Sequence, residues 1–244
     1  MVISTFFLLF ARSLGFFFFS PLFEKLSTPP FLRFGLSLVT TLLFAPLFLS
    51  HQEQIPSFFL LNLLKEGAVG YLIGFLFSLL FESAALAGNV LGTMMGLNVA
   101  PLFGGDASPV MSKAFILLIG ALIFSSDLHH LILRVFYQSY SLVPQGLFTF
   151  QGVQEILSAT ALLFKQMIHY ALVPLFCLSA VLIFLAIAAR LFPELPILWM
   201  GFPLQLLVGF IAIVASLSRF QEVLESSFLE LSHFIDRILF PLIH

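Results

Sequence analysis

Apolar residues fall in long uninterrupted blocks along this chain, and polar residues gather between the blocks instead of alternating with them. A helix needs about 20 apolar residues to cross a hydrocarbon core of about 30 Å. By that measure the pattern predicts six apolar segments, at residues 2–23, 31–49, 57–99, 112–136, 156–192 and 197–217. Polar or Gly/Pro-rich links separate them at 24–30, 50–54, 100–109, 138–155 and 193–196. The Pro29-Pro30 pair stops any helix that reaches it, because proline lacks the N–H and restricts the residue before it. The reading is therefore an all-α, polytopic integral membrane protein.

Two of the segments are too long for a simple span. As one helix, residues 57–99 would extend roughly 64 Å at 1.5 Å per residue. Lys65-Glu66-Gly67 offers one break, and two half-spans or protrusion beyond the lipid both fit the length. Residues 156–192 are expected to be interrupted at Pro174. After residue 217 the pattern changes. Phe220, Leu224, Leu231, Ile235 and Ile238 recur at helical spacing, with Glu222, Glu225, Glu230, Asp236 and Arg237 among them. Such an amphipathic helix suits an interface or a partner surface. The organisation read from this pattern is a membrane domain, 1–217, and a C-terminal amphipathic helix, 218–244.

Composition narrows the function classes. Hydrophobic residues make up 60% of the chain and charged residues 9%, against about 25% charged in soluble domains. A net charge of −2 offers no electrostatic footprint for nucleic acid. A single cysteine, Cys177, excludes an internal disulfide and any multi-thiolate metal site. The first segment exceeds the ~7–15 apolar residues of a signal peptide, carries Arg12 at its middle, and is read as retained. The ten basic residues are spread thinly over both sets of loops, so the positive-inside count leaves orientation open.

Three sets of residues are candidates for function. Ala84, Gly88, Gly92 and Gly96 recur every fourth position, with Gly70 and Gly74 upstream. On a helix they share one face and admit a close-packed neighbour. This stretch delivers the chain to a loop containing Met94, Met95, Gly96, Leu97, Pro101, Phe103, Gly104, Gly105 and Pro109. Adaptable methionines and unrestrained glycines, limited by proline at each end, suit a plug that yields to a passing chain; an ordinary surface loop has the same composition. The third set is ionisable residues inside apolar runs: Arg12, Glu82, Asp127, His129, Lys165 and Arg190, together with Lys65, Glu66, His130 and His169. Charge at a bilayer centre costs about 2.5–3.5 kcal/mol on insertion scales, so Glu82 or Asp127 is expected opposite Arg12 or Lys165. Structural ion pairing and a proton or ion relay both fit.

Enzymatic motifs are absent. Adjacent His129 and His130 lie about 100° apart on a helix, unlike the i, i+4 pair of HExxH, and no GxSxG nucleophile motif occurs. The chain is read as a non-enzyme, with no metal and no cofactor expected.

Several stretches in order carry a family resemblance. They are Ala11-Arg12-Ser13-Leu14-Gly15 with Pro21-Leu22-Phe23, Pro30 and Arg33; Ala87-Gly88-Asn89-Val90-Leu91-Gly92-Thr93-Met94-Met95-Gly96-Leu97; Phe124-Ser125-Ser126-Asp127-Leu128-His129-His130-Leu131-Ile132 with Ser139-Tyr140 and Pro144-Gln145-Gly146; and Ala189-Arg190-Leu191-Phe192-Pro193 with Gly201-Phe202-Pro203-Leu204. Together they resemble the FliR/SctT family of type III export-gate subunits over roughly residues 3–217, the flagellar FliR branch more than the virulence SctT branch. The sequence departs from the family at Glu194-Leu195-Pro196-Ile197, where an Asn-Val-containing link is usual.

The resemblance implies a bacterial inner-membrane protein of the flagellar basal body that assembles with FliP and FliQ, with FlhA and FlhB around or beneath, amid membrane lipid. It implies passage of unfolded export substrates and a pore-closing role for the loop at about 94–109. A secondary transporter using Glu82, Asp127 or His129 is the alternative outside this class. Such proteins often show internal repeats, and the two halves of this chain show no convincing one.

Overall fold

The computed structural model describes residues 2–18, 28–48, 59–97, 110–142, 153–192, 194 and 197–239. Every regular element among them is a helix: α1 Val2–Phe18, α2 Pro30–Phe48, α3 Phe59–Met94, α4 Val110–Ser125, α5 Leu128–Leu142, α6 Val153–Leu191, α7 Ile197–Ala215 and α8 Leu217–Leu239. The all-α polytopic reading holds. α3 and residues 160–191 of α6 are each long and apolar enough to cross a membrane. Two bent helix pairs, α4 with α5 and α7 with α8, reach that length when taken together, and α1 and α2 supply shorter apolar helices.

Three expectations fail, each for a physical reason. The break at Lys65-Glu66-Gly67 does not occur, and α3 runs through it for 36 residues. Those polar and small residues serve packing: Glu66 is buried in an ion pair, and Gly67 lies directly under Gly15 of α1. α6 likewise runs through Pro174 for 39 residues, since the surroundings of a membrane helix can re-satisfy the backbone that proline disturbs. The fourth segment does break, at Ser126 and Asp127, where Asp127 adopts φ 55°. Aspartate is among the few residues that tolerate this left-handed conformation.

Contacts divide the chain into two compact units, residues 1–79 with 127–160 and 229–244, and residues 80–126 with 161–228. In the first, α1 lies along α2 and crosses α3 so closely that glycine is required at the crossing. Side chains added at Gly15 or Gly70 would collide with backbone of Gly67 and of Arg12, respectively. Phe16, Phe44, Phe136 and Tyr140 fill the space between the helices.

In the second unit, α8 turns away from α7 by 52° at Ser216. The Ser216 hydroxyl donates to the carbonyls of Ala212 and Ile213 at 2.8 and 2.9 Å. The apolar face expected on α8 is present, but this chain covers it. In this unit Phe220, Leu224 and Phe228 are buried, and Phe220 packs against Phe115 and Tyr170; Leu231 and Ile235, which belong to the first unit, are buried as well. An interface helix in the sequence is a core helix in the fold.

Gly120 on α4 has no neighbour within 4 Å of the position a Cβ would take. Gly120→Ala should therefore stabilise the isolated chain by about 0.4–1 kcal/mol, because alanine lowers the entropy of the unfolded chain. Thermal unfolding in detergent should show a small rise in Tm, and a fall would mean that this side of α4 is tightly covered.

Candidate functional site

The loop marked by composition begins where α3 ends, and its root is tightly built. Residues 98–109, and with them Pro101, Phe103, Gly104, Gly105 and Pro109, lie outside the described residues. The last regular bond of the α3 end is from the Met95 N–H to the Leu91 carbonyl, 2.9 Å, followed by a tighter one from Gly96 to Thr93, 3.1 Å. Gly96 takes φ 74°, the left-handed conformation with which glycine commonly ends helices. Gly96 thus stands beyond the last helical turn and stops the helix instead of extending the small-residue face. Ala84, Gly88 and Gly92 remain on α3 and are all buried.

Helix α7 holds this root in place. Met95 is fully buried and lies in a notch made by Gly209, where an added Cβ would come within 2.8–3.0 Å of its Cε, Sδ and Cγ. Phe202, about two turns earlier, covers Gly96 at 3.1–3.2 Å from the corresponding position. Met94 is exposed and Leu97 half-buried. At the other end of the loop, α4 returns onto α3. Ser112 donates to the Ala85 carbonyl at 2.9 Å, and a Cβ on Gly88 would lie 2.6 Å from the Met111 carbonyl oxygen. Both roots of residues 98–109 are therefore clamped at glycines. A methionine in a glycine notch is deformable, whereas the Gly88 contact is backbone against helix and is not.

The ionisable candidates separate into different environments. Arg12 is wholly buried and pairs with Glu66, its Nε and Nη2 both 2.6 Å from Oε2. Glu66 is not among the partners expected for Arg12 from the sequence. Arg12 Nη1 also donates to the Ser139 carbonyl at 2.6 Å, and the guanidinium carbon lies 4.5 Å from the Tyr140 ring centroid. The Tyr140 hydroxyl donates to the Leu9 carbonyl at 2.9 Å and lies 3.0 Å from Ser13 Oγ, which receives a bond from Thr41. One buried network thus ties α1, α2, α3 and α5. Glu82 is half-buried, and Asp127, Lys165 and Arg190 are exposed. His129 is half-buried, its ring 4.2 Å from that of His130.

Sequence reasoning missed Ser139 and Tyr140 as members of the network, and Gly209 and Phe202 as the seat of the loop root. A signal for the first was present: Glu66 and Arg12 are charges inside apolar runs with small residues beside them, Gly67 and Gly70 near the one and Ser13 and Gly15 near the other. Nothing local marks Gly209.

Comparison with known proteins agrees with this architecture. The family model described as bacterial export proteins, family 1, matches residues 3–231. Three similar proteins are each named flagellar biosynthetic protein FliR. The one from Escherichia coli K12 is 27% identical over 81% of this chain and 78% of its own length. That from Bacillus subtilis 168 is 25% identical over 87% and 86%, and that from Buchnera aphidicola is 26% identical over 85% and 83%. With a match that takes in α1 to α7 and most of α8, the chain belongs to the bacterial export proteins, family 1, the FliR family its sequence resembles.

Proposed function

We propose that this chain is a non-enzymatic subunit of a flagellar protein export gate, in the bacterial inner membrane at the basal body. The reading assembles it with FliP and FliQ, beside FlhA and FlhB, and gives residues 94–109 the task of closing the pore to unfolded substrates. The observation that carries it is the construction of the loop roots. Met95 and Gly96 are seated on α7 through Gly209 and Phe202, and Ser112 is fastened to α3. Held ends with a Gly/Pro-rich middle make a two-state element: seated when closed, displaced when a chain passes.

Two further features support the reading. In its most apolar window α6 is buried over only 17% of residues, against 72% for α3. Phe176 and Phe184 on α6 are 75% and 63% exposed. A face of that size needs lipid or partner helices against it. The flagellar naming of all three similar proteins favours the flagellar branch over the virulence one. A relay built on Arg12 is disfavoured because its guanidinium is locked in the buried pair.

Deletion of residues 101–108, in cells carrying the assembled apparatus, should raise ion leakage across the membrane several-fold. Gly209→Leu, which fills the Met95 notch, should act in the same direction. Unchanged conductance in both variants, with the complex still assembled, would overturn the gate assignment.

A further inference from the structure

We propose that Asp127, His129 and His130 form a binding site for a borderline divalent transition metal of the Zn2+, Ni2+ or Cu2+ class, separate from the loop root and from the Arg12 network. Each offers one ligand atom, and the three atoms lie within 4.8 Å of one another. Ligands bound at about 2.0–2.2 Å around a tetrahedral ion stand about 3.3–3.6 Å apart. The remaining contraction of about an ångström is within reach of side-chain torsions.

The angular argument against adjacent histidines holds for the middle of a helix and misses what happens here. Asp127 is left-handed, φ 55°, and α5 begins at the next residue. His129 and His130 occupy its first turn with rings 4.2 Å apart and tilted by 35°, and the reversal at Asp127 brings its carboxylate within reach of both rings.

The donor set selects the ion. Two imidazole nitrogens and one carboxylate oxygen suit zinc, nickel and copper(II). Calcium and magnesium prefer all-oxygen shells, and copper(I) prefers sulfur. Asp127 and His130 are exposed and His129 is half-buried, so an ion can enter from solution. Three protein ligands leave a coordination position for water or for a side chain of an assembly partner. A bound ion would tie Asp127 to the first turn of α5 and so hold the helix break.

The test uses the whole chain, purified in detergent without a polyhistidine tag, and Co2+ as a spectroscopic probe. Titration should produce a visible absorption band that saturates at one equivalent and is displaced by Zn2+. His130→Asn and Asp127→Asn each should weaken Co2+ binding at least about tenfold, the smaller end of the loss seen when even a supporting partner is removed from a metal site. Both positions are exposed, and asparagine tolerates the left-handed backbone, so the helix content by circular dichroism should not change. A variant with asparagine at His51, His169, His233 and His244 should bind as the wild type does. Absence of a saturable band in the wild type, or binding by both single variants as tight as that of the wild type, would overturn the site.

Discussion

Replacing Glu66 alone should be the most damaging single change in the first unit: Glu66→Leu is expected to cost ~3–5 kcal/mol, the usual penalty for stranding a buried charge. Arg12 is wholly buried, and without Glu66 its guanidinium keeps the Ser139 carbonyl and the Tyr140 ring but loses the carboxylate 2.6 Å away. The double variant Arg12→Met with Glu66→Leu should recover most of the loss, because a buried ion pair exchanged for apolar side chains of similar volume is often neutral or better. Arg12→Lys should not rescue function. An ammonium is a point charge and cannot reproduce the fork that reaches Glu66 and Ser139 together. Denaturant unfolding in mixed micelles reads all of these. Should Glu66→Leu unfold at the wild-type midpoint, the pair is not a stabilising element and the four-helix network loses its centre.

That ion pair also shows what could and could not be read from the sequence. Helix content and the positions of the apolar blocks followed from block length, because a bilayer demands helices of a certain span. The breaks did not. Lys65-Glu66-Gly67 looks like a link, since charge beside glycine between apolar runs ordinarily marks a loop. In the fold Arg12, 54 residues away, neutralises that charge. Asp127 looks like an ordinary polar residue within a segment, yet it carries the left-handed turn that breaks the segment. Long-range pairing decides the first case and one backbone angle the second; neither leaves a periodic trace. The loop root is a mixed case. Its glycines and methionines are conspicuous in sequence, but the notch that receives Met95 is Gly209 on α7, 114 positions later and unremarkable in its surroundings. The amphipathic face of α8 was legible residue by residue, while its destination was not, because periodicity reports that a face must be covered and not by what.

Leucine at Gly70 or Gly88 should also be strongly disruptive, for a different reason. At Gly70 an added Cβ meets the Arg12 carbonyl group and lies 3.0 Å from the Phe16 nitrogen; at Gly88 it would lie 2.9 Å from the Ser112 Cα. In both cases the obstacle is backbone, so no rotamer change relieves it and the helices must part. Overpacking ordinarily costs about 1–3 kcal/mol, and a forced helix separation belongs at or above the upper end. Gly70→Leu and Gly88→Leu should each sharply reduce the detergent-stable, monodisperse fraction and, on the proposed function, prevent co-purification with FliP and FliQ. Gly35→Leu is the control, since nothing stands within 4 Å of its Cβ position; it should not destabilise, and a gain of up to about 1 kcal/mol is expected from removing a helix-interior glycine. The Gly70 contact falls on the carbonyl of Arg12, whose side chain is clasped by Glu66 one turn earlier on the same helix. The glycine therefore sets the depth at which the guanidinium meets its carboxylate. Gly70→Ala, milder than leucine, should lose less when combined with Arg12→Met and Glu66→Leu than when made alone, because the pair it displaces is already gone. Strict additivity of those changes would show that the crossing and the ion pair are independent, and that α1 is held on α3 by two separate contacts instead of one.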